Sequence, residues 1–267
     1  MKKTHNHIAL EDVQSRYDQR NIPIDQVGVR GIRHPITLRD KHRTKQATVA
    51  EFTLAVDLPH NFKGTHMSRF VEILNAHGNE LSAAMLPKML TELRTRLHAD
   101  CAHIKMSFPY FIEKLAPVTG AKGLMDYRVV FDATDRKGEI DFVMHVTVPV
   151  TTVCPCSKTI SSRGAHNQRG EVRVSLRTSG EMLWIEDVIQ LVESSASCEL
   201  YSLLKRPDEK FVTEKAYDNP VFVEDLVRNV AVKLNSLPNI TWYRIEVENH
   251  ESIHNHSAYA IIEKSLT

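Results

Sequence analysis

From Thr48 to Leu58 the chain alternates: Ala50, Phe52, Leu54, Val56 and Leu58 fall on one side and Glu51, Thr53 and Asp57 on the other, the period of a strand with one buried face. Val27–Leu38 reads as a shorter strand-like run, broken by Gly28, Gly31 and Pro35, and the charged turn after it makes the two runs a candidate hairpin. The spacing then becomes helical. Phe70, Val71, Ile73 and Leu74 recur until Gly78 offers a stop, and Leu86, Leu90, Leu93 and Leu97 mark a second helix. Strands over Ala102–Phe111 and Leu124–Ala133 complete a ββααββ order.

The same order recurs in the second half, without residue-level identity. Ile140, Phe142, Met144, Val146, Val148 and Val150 share one face of a strand over Glu139–Val153, and Val172, Val174 and Leu176 continue the alternation in the next. A helix is expected from Trp184 through Val192 towards Leu204, ending before Pro207. Asn219-Pro220 suggests the cap and first turn of another, ending near Asn235–Leu237. Strands over Ile240–Glu248 and Ser257–Glu263 close the unit. The expected division is a mobile polar arm over 1–25, a first module over 26–136 and a second over 137–267. Each module buries one sheet face under helices and leaves the other face and two strand edges open, so a homo-oligomer is expected.

Composition narrows the classes. Lys and Arg number 34 against 33 Asp and Glu, a net charge of +1 that removes the general electrostatic case for a nucleic-acid partner. The amino-terminal stretch has no apolar core and no run approaches the roughly 18 residues of a membrane span, so a soluble, cytoplasmic protein is expected. The four cysteines, Cys101, Cys154, Cys156 and Cys198, form no disulfide framework.

The candidate chemistry gathers in two places. In residues 151–169 a hydrophobic strand runs into Cys154-Pro155-Cys156, followed by His166 beyond Gly164. A thiolate and an imidazole across a loop suit a divalent ion, whereas a disulfide between Cys154 and Cys156 closes a strained ring. The bland reading is two small residues at a strand end and a surface histidine. Glu251-Ser-Ile-His254-Asn-His256 lies between two strands and offers a carboxylate and two imidazoles. The carboxylates Asp208, Glu209, Glu214, Glu224 and Asp225 read individually as surface charge, and composition does not choose among them. Lys158, Arg163 and Arg169 beside the cysteines suit either a phosphorylated anion or a solvated basic face; His66-Met-Ser68-Arg69 opens a helix where an anion could bind, or Ser68 is simply an N-cap.

Taken together, Lys63-Gly-Thr-His-Met-Ser-Arg-Phe, Val148-Pro-Val-Thr-Thr-Val-Cys-Pro-Cys-Ser-Lys, Gly164-Ala-His-Asn-Gln-Arg, Tyr217-Asp-Asn-Pro-Val-Phe-Val-Glu-Asp and Glu251-Ser-Ile-His-Asn-His-Ser-Ala-Tyr-Ala resemble the prokaryotic type IB GTP cyclohydrolases of folate biosynthesis. The resemblance implies an α+β tunnelling fold of two tandem ββααββ modules, a homotetramer with sites between subunits, and conversion of GTP and water to 7,8-dihydroneopterin triphosphate and formate. It further implies one divalent ion per site (zinc, manganese or iron) on Cys154, His166, Glu209 and His254, with Cys156, Glu224 and His256 in acid–base or supporting roles alongside Cys154. Glu251 would hold the guanine edge, and Ser68, Arg69, Lys158, Arg163 and Arg169 the triphosphate. Two competing readings are a thiol-nucleophile enzyme of the same fold, attacking a related purine or pterin through Cys154 or Cys156, and a non-catalytic pterin-binding oligomer. The number of imidazoles argues against the thiol nucleophile.

Overall fold

The computed structural model describes residues 12–42, 45–77 and 83–266. One antiparallel sheet runs through the molecule. It contains β1 (Ile24–Arg39), β2 (Lys45–Leu58), β3 (Cys101–Leu115), β4 (Lys122–Arg136), β5 (Glu139–Val153), β6 (Asn167–Thr178), β8 (Ile240–His250) and β9 (Ser257–Ser265) in that spatial order, and the two-residue β7 (Cys198–Glu199) pairs with β5. The helices are α1 (Met67–Ala76), α2 (Leu86–Arg96), α3 (Pro155–Ile160), α4 (Ile185–Glu193), α5 (Arg206–Asp218) and α6 (Val223–Asn235).

The expected core face is the observed one. Phe52, Leu54, Ile104, Met106, Val129, Met144, Val146, Val174 and Ile245 are buried against Phe70, Leu90, Val192 and Leu226 from the helices. Ile140 keeps the predicted face but, near the start of β5, is 44% exposed. The sheet crosses from β4 to β5 through the tight turn Lys137-Gly138, whose positive φ angles of 53° and 97° suit a two-residue hairpin loop.

Several expectations change. The run read as broken at Gly28, Gly31 and Pro35 is the single strand β1: Gly31, with φ of 77°, takes up a register shift, and an edge strand tolerates proline. The described part of the amino-terminal arm is docked, with Tyr17 bridging Phe62 and the N–H groups of Lys63 and Gly64 donating to the carbonyls of Arg16 and Gln14. Gly78 lies outside the described residues. The N-cap of α1 is His66, so Ser68 sits inside the first turn.

The second module differs most. α4 stops at Glu193, because Ser194 and Ser195 turn their hydroxyls back onto the carbonyls of Gln190 and Leu191 at 2.7 and 2.8 Å and the chain then pairs with β5. Arg206–Asp218, expected as a connection, is the helix α5; Pro207 is tolerated in the first turn and Asp208 accepts from the Lys205 N–H at 2.9 Å. Asn219 therefore caps the end of α5, and α6 starts after Phe222, whose N–H donates to Asp225 at 3.2 Å.

Candidate functional site

β5 carries the core face to its end and there changes character. Val150 lies opposite Gly170 and Gly170 opposite Asn249, while the next pair is Thr152 and Gln168, so an apolar column becomes polar within two residues. Thr152 Oγ1, Gln168 Oε1 and Asn249 Oδ1 are buried there without a hydrogen-bond partner among the described residues. Two more unpartnered atoms lie on the loops at the same end, His166 Nδ1 and Glu251 Oε2, separated by 3.9 Å. Burying a polar atom without a partner costs about 1–3 kcal/mol, and such a concentration marks a place built for something besides packing.

Cys154 closes this corner. Pro155 ends the ladder and starts α3, and Cys154 becomes its N-cap, its Sγ accepting from the Ser157 N–H at 3.4 Å. The Cys154 N–H donates to the His166 carbonyl at 3.1 Å and the His166 N–H to Ser157 Oγ at 3.2 Å, which zips the thiol-bearing turn to the imidazole-bearing loop. A thiol and a bare imidazole nitrogen are donors that suit a zinc-like ion, and a bare carboxylate oxygen faces that imidazole. Among the described residues no group of three or more His, Cys, Asp or Glu side chains is drawn together tightly enough to hold one. Glu209 stands exposed in the first turn of α5, while His254 and His256 stack at 5.2 Å between centroids on the exposed loop after Glu251.

α5 walls the other side. Val153, Cys198 and Ala216 form a second small core with Ala165 and Val212, separate from the main one. Beside it opens a cavity of about 320 Å³, lined by Val153, Ala165, Asn167, Arg169, Glu199 and Tyr217 among others, so its wall includes the residues flanking Cys154 and His166. At helical spacing Glu209 shares a face with the cavity residues Val212, Thr213 and Ala216.

Nothing in the local pattern singles out Glu199, which lies in a stretch that reads as continuing helix. Burial would raise its carboxyl pKa, but Lys215 Nζ and the Tyr201 hydroxyl, both at 2.6 Å, override that and hold it down at about 2. Burial and this carboxylate push the neighbouring Cys198 thiol up to about 11, so it is a neutral wall of the cavity. Asp208 is fully buried; burial again opposes ionisation, and the Thr119 hydroxyl with the backbone N–H groups of Thr119, Lys205 and Val118 outweighs it, holding the carboxyl below the usual carboxylate range. With both oxygens occupied, Asp208 is no free ligand, and Glu214 is engaged with Lys210 at 3.6 Å.

The basic residues separate. Lys158 reaches the Tyr217 carbonyl at 2.5 Å with its ammonium 4.3 Å from that ring's centroid, tying α3 to the end of α5. Arg169 lies on the cavity wall and Arg163 on the exposed loop beyond α3. Ser68 and Arg69 lie on α1, which packs against β1 and α2, and Arg69 donates to the Arg96 carbonyl at 3.3 Å. β1 is four strand spacings from β5, about 19 Å, so these two are not part of the same corner within one chain. Glu224 is exposed in the first turn of α6, and Cys156 is exposed on α3.

A family model described as type I GTP cyclohydrolase folE2 matches residues 10–260. The chain is 59% identical over 259 residues to GTP cyclohydrolase FolE2 of Akkermansia muciniphila, covering 96% of this chain and 98% of that protein. It is 57% identical over 254 residues to GTP cyclohydrolase FolE2 of Syntrophotalea carbinolica, covering 95% of each. A crystal structure of a uricase from Bacillus fastidious matches with a TM-score of 0.59 over 90% of this chain and 93% of that one at 8% identity, a likeness of fold alone.

Proposed function

The chain belongs to the type I GTP cyclohydrolase FolE2 family, and from that premise we propose how the corner formed by Cys154, His166 and Glu251 serves the reaction. The enzyme has the α+β tunnelling fold, acts on GTP and serves folate biosynthesis. It opens the guanine imidazole ring hydrolytically to give 7,8-dihydroneopterin triphosphate and formate.

The observation that carries the site reading is the unpartnered pair His166 Nδ1 and Glu251 Oε2, with the Cys154 turn joined to His166 through its backbone. Cys154, His166, Glu209 and His254 would hold one divalent ion, zinc, manganese or iron, which when bound supplies a Lewis acid able to deliver hydroxide near neutral pH. Glu251 accepts from the ring N–H and exocyclic amine of guanine, for which two carboxylate oxygens are the matching acceptors. Arg169 and Arg163 meet the triphosphate; Lys158, committed to Tyr217, instead fixes α3, after which the loop carrying Arg163 begins. Cys156, Glu224 and His256 carry the proton transfers that formate release and ring closure demand. Ser68 and Arg69 serve the triphosphate of a neighbouring copy, which fits a homotetramer with shared sites and sheet edges covered at β1 and β9. Among the described residues no helix is long and apolar enough to cross a membrane, and we place the enzyme in the cytoplasm.

The test is to incubate protein reconstituted with zinc, manganese or iron with GTP and to measure formate together with a fluorescent pterin after oxidation. Both products are expected in equal amounts; no product with any divalent ion overturns the reading.

A further inference from the structure

α5 carries Glu209, yet apolar packing does little to hold it: its buried residues are Asp208 and Ala216. Polar pins hold it instead. At its end Lys215 is bound to Glu199 at 2.6 Å and the Asn219 amide donates to the Ala196 carbonyl at 2.9 Å. At its beginning the pin is Asp208. Oδ1 accepts from the N–H groups of Val118 and Thr119 at 2.8 and 2.9 Å, and Oδ2 from the Thr119 hydroxyl at 2.6 Å and the Lys205 N–H at 2.9 Å. Val118 and Thr119 form the turn between β3 and β4, so this carboxylate joins a hairpin of the first half to a helix of the second. The hairpin also presses on the approach to α5: a Cβ at Gly123 would come within 2.5 Å of Ser202 Oγ.

We propose that Asp208 is a positioning residue. By anchoring the first turn of α5 to the β3–β4 hairpin it fixes the direction in which the adjacent Glu209 is presented, on the face shared with the cavity residues Val212 and Thr213. The inference rests on Glu209 as a ligand of the divalent ion. Its physical basis is that a carboxylate on a long side chain binds an ion well only when the backbone beneath it is held, and this backbone has few apolar contacts to hold it.

The experiment titrates the full-length chain, stripped of metal, with Co²⁺ and follows affinity and the visible spectrum of the bound ion in wild type, Asp208→Asn, Glu209→Gln and the double variant, with circular dichroism of each apo protein. Asp208→Asn is expected to keep its fold, to weaken Co²⁺ binding by about tenfold or more and to shift the spectrum. The double variant is expected to bind no more weakly than Glu209→Gln alone, because Asp208 acts through Glu209. Wild-type affinity in Asp208→Asn with loss in Glu209→Gln overturns the inference, as do two losses that simply multiply. Wild-type affinity in Glu209→Gln removes the ligand reading itself, and the inference falls with it. Should Asp208→Asn fail to fold, Thr119→Val, which removes only the hydroxyl bond, replaces it with the same expected direction.

Discussion

His166 Nδ1 and Glu251 Oε2 face each other at 3.9 Å, and neither has a hydrogen-bond partner among the described residues. Unpartnered acceptor and donor atoms at the rim of a packed sheet are costly to folding and useful to binding.

Removing a donor should remove the ion. Cys154→Ala, His166→Ala and His254→Ala are each expected to lower bound metal below one equivalent per chain after dialysis, measured by atomic emission. Full stoichiometry in all three would mean that the ion is held elsewhere.

Glu251→Gln should leave metal content unchanged and act on the base. One acceptor oxygen becomes a donor, which loses a charge-assisted bond and is expected to lower kcat/KM for GTP by about tenfold or more. Wild type should also prefer GTP over the analogue lacking the 2-amino group, and the variant should lose that preference. An undiminished preference argues that another group reads the base.

The Glu199 network makes a pH-dependent contribution to stability. Its folded pKa of about 2 lies below the ordinary 4.5, so the folded state holds fewer protons than the unfolded state across that interval. The stabilisation is full above about pH 4.5 and drains away as pH falls towards 2. Glu199→Gln is expected to lower unfolding free energy at pH 7 by about 2 kcal/mol and to flatten the acid limb. Urea midpoints measured from pH 7 downwards check both, and parallel curves for the two proteins would contradict the assignment.

Gly170 sits where no side chain fits. A Cβ there would stand 2.8 Å from Asn249 Oδ1 and 3.1 Å from Val150 Cγ2. Gly170→Ala is expected to cost about 1–3 kcal/mol in urea unfolding, as overpacking does. Adding Asn249→Ala should recover part of the loss; no recovery would locate the strain in the backbone.

Much of the architecture was legible because alternation and helical spacing report burial directly. The buried face of β2 was readable residue by residue, as was that of α2, and β5 was readable in its bounds from Glu139 to Val153 and in its buried face from Met144 to Val150. α5 was not legible: with Asp208 and Ala216 as its buried residues it leaves no apolar stripe, and Asn219-Pro220 imitates a helix start. The end of α4 was hidden for the opposite reason, since only the serine hydroxyls and the pairing of Cys198 and Glu199 with β5 interrupt an otherwise helical run.

The sequence by itself determined the family, the repeated order of strands and helices and the residue types available for chemistry, because these rest on local spacing and on motifs contiguous in the chain. Only the tertiary structure decided which groups meet. It set His166 against Glu251, committed Asp208 to Val118 and Thr119 and Lys158 to Tyr217, and brought Glu199 to the cavity beside Arg169. The physical reason is that pairing registers and long-range hydrogen bonds join residues far apart in the chain, and no local pattern records which buried polar atoms find a partner and which are left without one.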